Sequence, residues 1–149
     1  TSTQEELHSF IETTKQNFHT MTAEDIAFPR GCNNMAKYYS QADIYSKGTP
    51  IHVRGGLLYN HYVKKLELNL KYEQIQEGDK IKFLYLKEPN PLKENTVAFV
   101  TKLPKEFGLQ KYIDYDLVFQ KAFLDPLDNI LKPISWTTEP QASLEDLFT

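Results

Sequence analysis

An α+β domain, mainly helical with a small antiparallel sheet, is the fold class this sequence predicts, and three observations predict it. Apolar residues recur at helical spacing near both ends of the chain. Between them, two short runs alternate as half-buried strands do. With 40% hydrophobic residues, including 9 Tyr and 9 Phe, a chain of 149 residues has enough apolar surface for one core and is not wholly disordered.

Each element follows from local pattern. Over residues 3–20, Leu7, Phe10, Ile11, Thr14 and Phe18 fall on one helical stripe, and Thr3 with Glu6 has the spacing of a capping box. Ile26, Ala27 and Phe28 form a short apolar run that reads as a strand, ended by Pro29 and Gly31. Residues 29–50 read as an irregular loop, closed by Lys47, Gly48, Thr49 and Pro50. A second helix is expected from Gly56, with Leu58, Tyr62 and Leu66 four apart. The turn at Gly78 and Asp79 introduces a strand over 80–86, and 96–100 makes a second, with Pro89, Asn90 and Pro91 in the loop between them. Helical spacing returns over 115–132 through Phe119, Phe123, Leu127 and Leu131. Asp125 and Pro126 interrupt it, either as a kink or as a new N-cap with Pro at the first helical position. Trp136 is expected to seal the core. The last ten residues are polar apart from Leu144, Leu147 and Phe148. The predicted organisation is therefore a domain over 1–136 and an extended, flexible tail over 137–149.

Charge is segregated. Residues 29–65 hold Arg30, Lys37, Lys47, Arg54, Lys64 and Lys65 against the single acid Asp43, a net +5 in a chain whose overall charge is −3. Whole-chain charge argues against a nucleic-acid partner, whereas a basic island argues for one. Asn33, Asn34, Tyr38, Thr49, His52 and Asn60 lie among these cations, and amides and hydroxyls beside Lys and Arg are phosphate-holding chemistry. The only cysteine, Cys32, forms no intrachain disulfide, and no Cys/His set has zinc spacing, so a reducing, cytoplasmic setting is expected. No apolar run approaches the ~18 residues of a membrane span, and neither a span nor a signal peptide is expected.

The stretch KGTPIHVRGGLLYN, residues 47–60, concentrates Lys47, Thr49, His52, Arg54 and Asn60 around a Gly-Gly pair. Its glycines admit a ligand to the backbone, and a helix starting near Gly56 adds free N–H groups for an anion. The alternative is a glycine turn before a core helix, with His52 and Arg54 as solvated surface. The stretch FPRGCNNMAKYY, from Phe28, adds Arg30, Asn33, Asn34, Lys37 and Tyr38; here the alternative is an Asn-rich turn that satisfies itself. Independent catalysis finds no support. Asp114 and Asp116 stand where a helix start explains them, no acid or nucleophile lies at a matching interval from His8, His19 or His61, and Cys32 has no obvious base. At the C-terminus, Gln141, Leu144, Leu147 and Phe148 suit a one-turn docking peptide for a hydrophobic pocket, unless Leu147 and Phe148 fold back on their own core.

These motifs in this order, KGTPIHVRGGLLYN, EGDKIKFLYL, KEPNP, DYDLVFQKAFLDPL and QASLEDLF, resemble the C-terminal part of the family B DNA polymerases of T-even-type bacteriophages. The resemblance covers essentially the whole chain. It implies a thumb-type domain that wraps primer–template duplex through phosphates and the minor groove, with a tail that binds the sliding clamp. Carried over, Asn33, Asn34, Lys37 and Tyr38 touch one stretch of DNA backbone, and Lys47, His52 and Arg54 hold another. Arg30, Thr49 and Asn60 complete the DNA-binding set, and Gln141, Leu144, Leu147 and Phe148 dock on the clamp. The catalytic palm aspartates, the fingers helix and the exonuclease have no counterpart in 149 residues. The resemblance thus implies a piece inactive alone, with no cofactor of its own and Mg2+ expected only in the palm. The palm and fingers would stand in the same or a separate chain, and the setting would be the host bacterial cytoplasm. The competing reading is an interaction module acting only through its C-terminal clamp-docking peptide.

Overall fold

The computed structural model describes residues 2–139, so the docking-peptide residues Gln141, Leu144, Leu147 and Phe148 lie outside the described residues. The described elements run α1 (Ser2–Phe18), α2 (Ala23–Ile26), β1 (Phe28–Gly31), α3 (Met35–Tyr38), β2 (Tyr39–Ser40), β3 (Ile44–Tyr45), α4 (Ile51–Lys65), β4 (Lys80–Tyr85), β5 (Thr96–Phe99), α5 (Tyr115–Phe119) and α6 (Asp125–Leu131). The class is the expected α+β, with helix predominating and antiparallel sheets of three and two strands. The chain divides into two compact units, residues 22–118 and the pair of segments 1–21 and 119–149.

In the larger unit a three-stranded sheet of order β1-β4-β5 carries α4 on one face. The sequence places a strand at residues 26–28, but β1 is Phe28–Gly31, and Ile26 ends a short helix capped by the Thr22 hydroxyl. Pro29 is tolerated because β1 is an edge strand, where a missing N–H costs no ladder bond on the open side. Nor are residues 29–50 irregular, since they contain α3 and the β2–β3 ladder, in which Tyr39 faces Tyr45. The strands over 80–86 and 96–100 are found as β4 and β5, with Phe83 opposite Ala98 and Leu84 opposite Val97. Asn90, buried in the loop between them, donates to the carbonyls of Lys87 and Glu94 and accepts from the Leu92 N–H.

The largest departure is at α4, which starts at Ile51, five residues earlier than the sequence indicates. Gly55 and Gly56 therefore sit inside a helix, where each costs about 1 kcal/mol in propensity relative to alanine. Packing explains them. A Cβ on Gly55 would stand 2.9 Å from the Ala98 backbone nitrogen, and one on Gly56 would stand 2.8 Å from Cys32 Sγ. The glycines let α4 settle directly on β5 and on the loop after β1. Val53, Leu57, Leu58, Tyr59 and Val63 are buried with them. Cys32 is itself fully buried, and burial, reinforced by the Glu77 and Asp79 carboxylates, pushes its thiol up to about 11.

The smaller unit is built on aromatic contacts. Phe119 meets Phe18 edge-on at 5.2 Å and stacks on Phe123 at 5.0 Å, and Ile11 and Leu131 are buried. Thr3 lies within α1 rather than capping it. Asp114, in the larger unit, accepts the Leu117 N–H, as the helix-start reading of the sequence has it. Asp125 is not a new N-cap: it is the first residue of α6, and the residue before it already has helical backbone. A π-helical turn at Gln120–Leu124 leads into α6 with helical backbone at Leu124 and Asp125, and the Asp125 N–H reaches the Gln120 carbonyl. Proline has no N–H for an α-helical bond to the preceding turn, and the wider turn accommodates that loss. Trp136 is half-buried, and its backbone N–H bonds the Leu131 carbonyl.

Two outcomes follow. Gly55→Ala forces the sheet backbone to move and is expected to lower stability by about 1–3 kcal/mol in urea unfolding, although alanine favours an isolated helix. Because the folded Cys32 thiol titrates above its ordinary 9.0, stability falls as pH rises from there toward about 11, where only the unfolded thiol ionises. Comparing the pH dependence of wild type with that of Cys32→Ala isolates this contribution, of the order of 2–3 kcal/mol.

Candidate nucleic-acid interface

The basic island maps onto the run from β1 through α4. Its two stretches meet at Phe83 of β4: the Arg30 guanidinium lies 5.7 Å from that ring and 6.0 Å from the Phe28 ring, and the His52 imidazole lies 6.3 Å from Phe83. The Arg30 side chain is exposed, and its Nη1 donates to the Pro29 carbonyl at 2.7 Å. Burial, and then the Arg30 charge, hold the His52 imidazole below the ordinary histidine range. At neutral pH His52 thus offers a single N–H rather than a further cation.

Arg54 is held more firmly. Its Nη2 donates to Asn95 Oδ1 at 2.7 Å, and its guanidinium lies 5.5 Å from the Tyr45 ring. The Tyr45 hydroxyl in turn donates to Glu94, at 2.8 Å to the nearer oxygen. Glu94 and Asn95 belong to the loop pinned by Asn90, so a buried amide indirectly fixes the Arg54 side chain. Arg54 Nε is buried and has no hydrogen-bond partner among the described residues.

The other predicted residues separate into exposed and committed groups. Lys47 is exposed in the turn between β3 and α4, where Gly48 takes a φ of +85° and Thr49 donates its hydroxyl to the Ser46 carbonyl. Lys37 is exposed on α3, its ammonium 5.2 Å from the Tyr38 ring. Asn33 and Asn34 are exposed, but the backbone N–H groups of Asn34 and Met35 are taken by the Glu77 carboxylate at 2.6 and 2.8 Å. Asn60 is a structural clamp, donating to the Ile75 carbonyl at 2.8 Å and accepting its N–H at 2.7 Å. With α4 starting at Ile51, no free helix end lies at Gly56, and the glycine pair faces protein rather than a ligand.

Sequence reading did not find Glu94, Asn95 and Glu77, which arrange the island from 40 or more residues away, because no spacing signals such contacts. It counted Lys64 and Lys65 in the basic island and weighed His61 only as a catalytic group, but placed none of the three, exposed at the far end of α4, in the DNA-binding set. Arg54 and Lys64 are ten residues apart, about 15 Å along the helix axis. The centre of α4 is buried, so its cations emerge at the two ends. Among the described residues no three His, Cys, Asp or Glu side chains converge as metal ligands, and no helix is long and apolar enough to cross a membrane.

Asn60→Ala is expected to lower stability by about 1–3 kcal/mol, because the Ile75 N–H and carbonyl lose their partner. Urea unfolding measures the loss.

No protein-family model matches the chain. Two curated relatives do. The DNA-directed DNA polymerase of Escherichia phage RB69 is 32% identical over 136 residues, covering 88% of this chain and 14% of that protein. The DNA-directed DNA polymerase of Enterobacteria phage T4 is 30% identical over 149 residues, covering 97% of this chain and 16% of that protein. This chain thus spans about a seventh of the length of the relatives it matches. It is a homologue of one segment of the DNA-directed DNA polymerases of T-even-type bacteriophages.

Proposed function

We propose that this chain is the thumb portion of a family B replicative polymerase, holding primer–template duplex by phosphate and minor-groove contacts and tethered to a sliding clamp by its C-terminal peptide. One observation carries the reading: in an acidic chain, the segment whose two stretches meet at Phe83 carries six cations against one acid. Arg30, Lys37 and Lys47 are exposed there, and Arg54 is oriented by Asn95 and Tyr45 before any partner arrives. A pre-oriented guanidinium loses less freedom on binding than a free one. Asn33, Asn34 and Tyr38 supply further polar contacts, and His52 one N–H. Such a surface reads charge and groove shape rather than base identity, which suits a protein that must hold every sequence it helps to make.

Polymerisation itself would fall to a palm and fingers in the same or a separate chain, with Mg2+ bound in the palm. Gln141, Leu144, Leu147 and Phe148 would seat in the clamp, keeping the duplex grip near the replication machinery within the host cytoplasm.

Anisotropy titration of a labelled primer–template duplex tests the reading. With about 3–5 phosphate contacts, log affinity should fall against log salt with a slope of about −3 to −4.5, with little sequence preference. Arg30→Ala with Lys47→Ala should flatten that slope by about 2. Deleting residues 141–149 should leave the slope unchanged and abolish clamp binding. Salt-independent or absent duplex binding, with clamp binding retained, would leave the C-terminal peptide as the sole binding element.

A further inference from the structure

A small pocket at the C-terminal half of α4 is walled by Tyr39, Leu57, Asn60, His61 and Lys64. The four α4 residues fall at positions i, i+3, i+4 and i+7, one face of the helix, and Tyr39 closes the pocket from β2. None of its walls is acidic. The neighbouring pocket that shares Lys64 carries Glu73 and Asp79, and the one holding Lys102 and Lys105 carries Glu24. Carboxylates in those walls repel a phosphate, and this pocket has none.

Its size selects the ligand class. At about 150 Å³ it is well below the ~300 Å³ at which small-molecule sites begin, yet it has room for about five waters at ~30 Å³ each. That suits a phosphate and the edge of a sugar, and not a base pair. Tyr39 is 57% exposed, so its ring face is open to a sugar. Asn60 is fixed by Ile75, so this wall is rigid. Burial, with Lys65 and Lys64 next, holds the His61 imidazole below the ordinary histidine range, as expected beside concentrated positive charge.

The pocket is also continuous with the surface already described. Tyr39 is the ladder partner of Tyr45, whose ring carries the Arg54 guanidinium, and directly opposed residues of an antiparallel pair share a face. The ~15 Å of helix between Arg54 and Lys64 equals the rise of four to five base pairs at ~3.4 Å each, so the two cations serve different phosphates.

We propose that this pocket is a further phosphodiester site of the duplex interface, taking one DNA phosphate between His61 and Lys64 and packing the adjoining deoxyribose against the Tyr39 ring. The proposal rests on the duplex-holding reading and adds to it three residues outside the predicted set.

The test is the same anisotropy titration on the full 149-residue chain. Lys64→Ala should flatten the salt slope by about 0.9 and weaken binding about eightfold at 0.1 M salt relative to 1 M, with Lys64→Arg restoring both. Tyr39→Ala should weaken binding several-fold with the slope unchanged, and Tyr39→Phe should bind as wild type, because the ring and not the hydroxyl makes the contact. Lys105→Ala serves as the control and should change neither quantity. Circular dichroism confirms that each variant is folded, which the exposure of Lys64 and Tyr39 favours. If Lys47→Ala flattens the slope and Lys64→Ala does not, the pocket is not a phosphate site and the wider reading survives. If wild type shows no salt-dependent binding, both fall together.

Discussion

The approach of α4 to β5 is the contact on which the larger unit depends. Most helix-on-sheet packing is spaced by side chains, but here Gly55 brings helix backbone against strand backbone at Ala98. The propensity cost of two mid-helix glycines, about 2 kcal/mol in all, is offset by the burial that close approach permits. Val53, Leu58, Val63, Val97 and Phe99 are each at most 1% exposed, and all belong to these two elements.

The basic surface inherits its order from that contact. With the middle of α4 sunk into the core, its polar residues surface only near the ends, and partners from other elements fix them there. Asn95 and Tyr45 hold Arg54, while Ile75 holds Asn60. Contacts of this kind orient the side chains before any partner arrives.

Local chemistry in the sequence located the elements whose signals are short-ranged. β4 and β5 were legible from alternation and from the turn at Gly78, and the helical stripe of α1 from its spacing. The start of α4 was not, because a Gly-Gly pair reads as a breaker until the strand beneath it is known. β1 was shifted for a related reason: Pro29 and Gly31 read as terminators, and only the edge position of the strand makes them acceptable. Within the candidate interface, sequence identified the cations by their clustering. It could not separate Asn60, committed to Ile75, from the exposed Asn33 and Asn34, since that distinction rests on a contact fifteen residues away.

Cys32 has a consequence of a different kind. It is the only cysteine of the chain, fully buried, and its sulfur fills the space where a side chain on Gly56 would stand. A thiol reagent can reach it only when the packing around it, by Gly56 of α4 and by the turn at Gly78 and Asp79, opens, so the native molecule carries its own reporter of that opening. Where reclosing outruns the reagent, the labelling rate is the free-thiol rate scaled by the opening equilibrium, so its ratio to that of an unfolded thiol gives the free energy of the local opening. A partner that clamps α4 would then slow labelling without touching the cysteine.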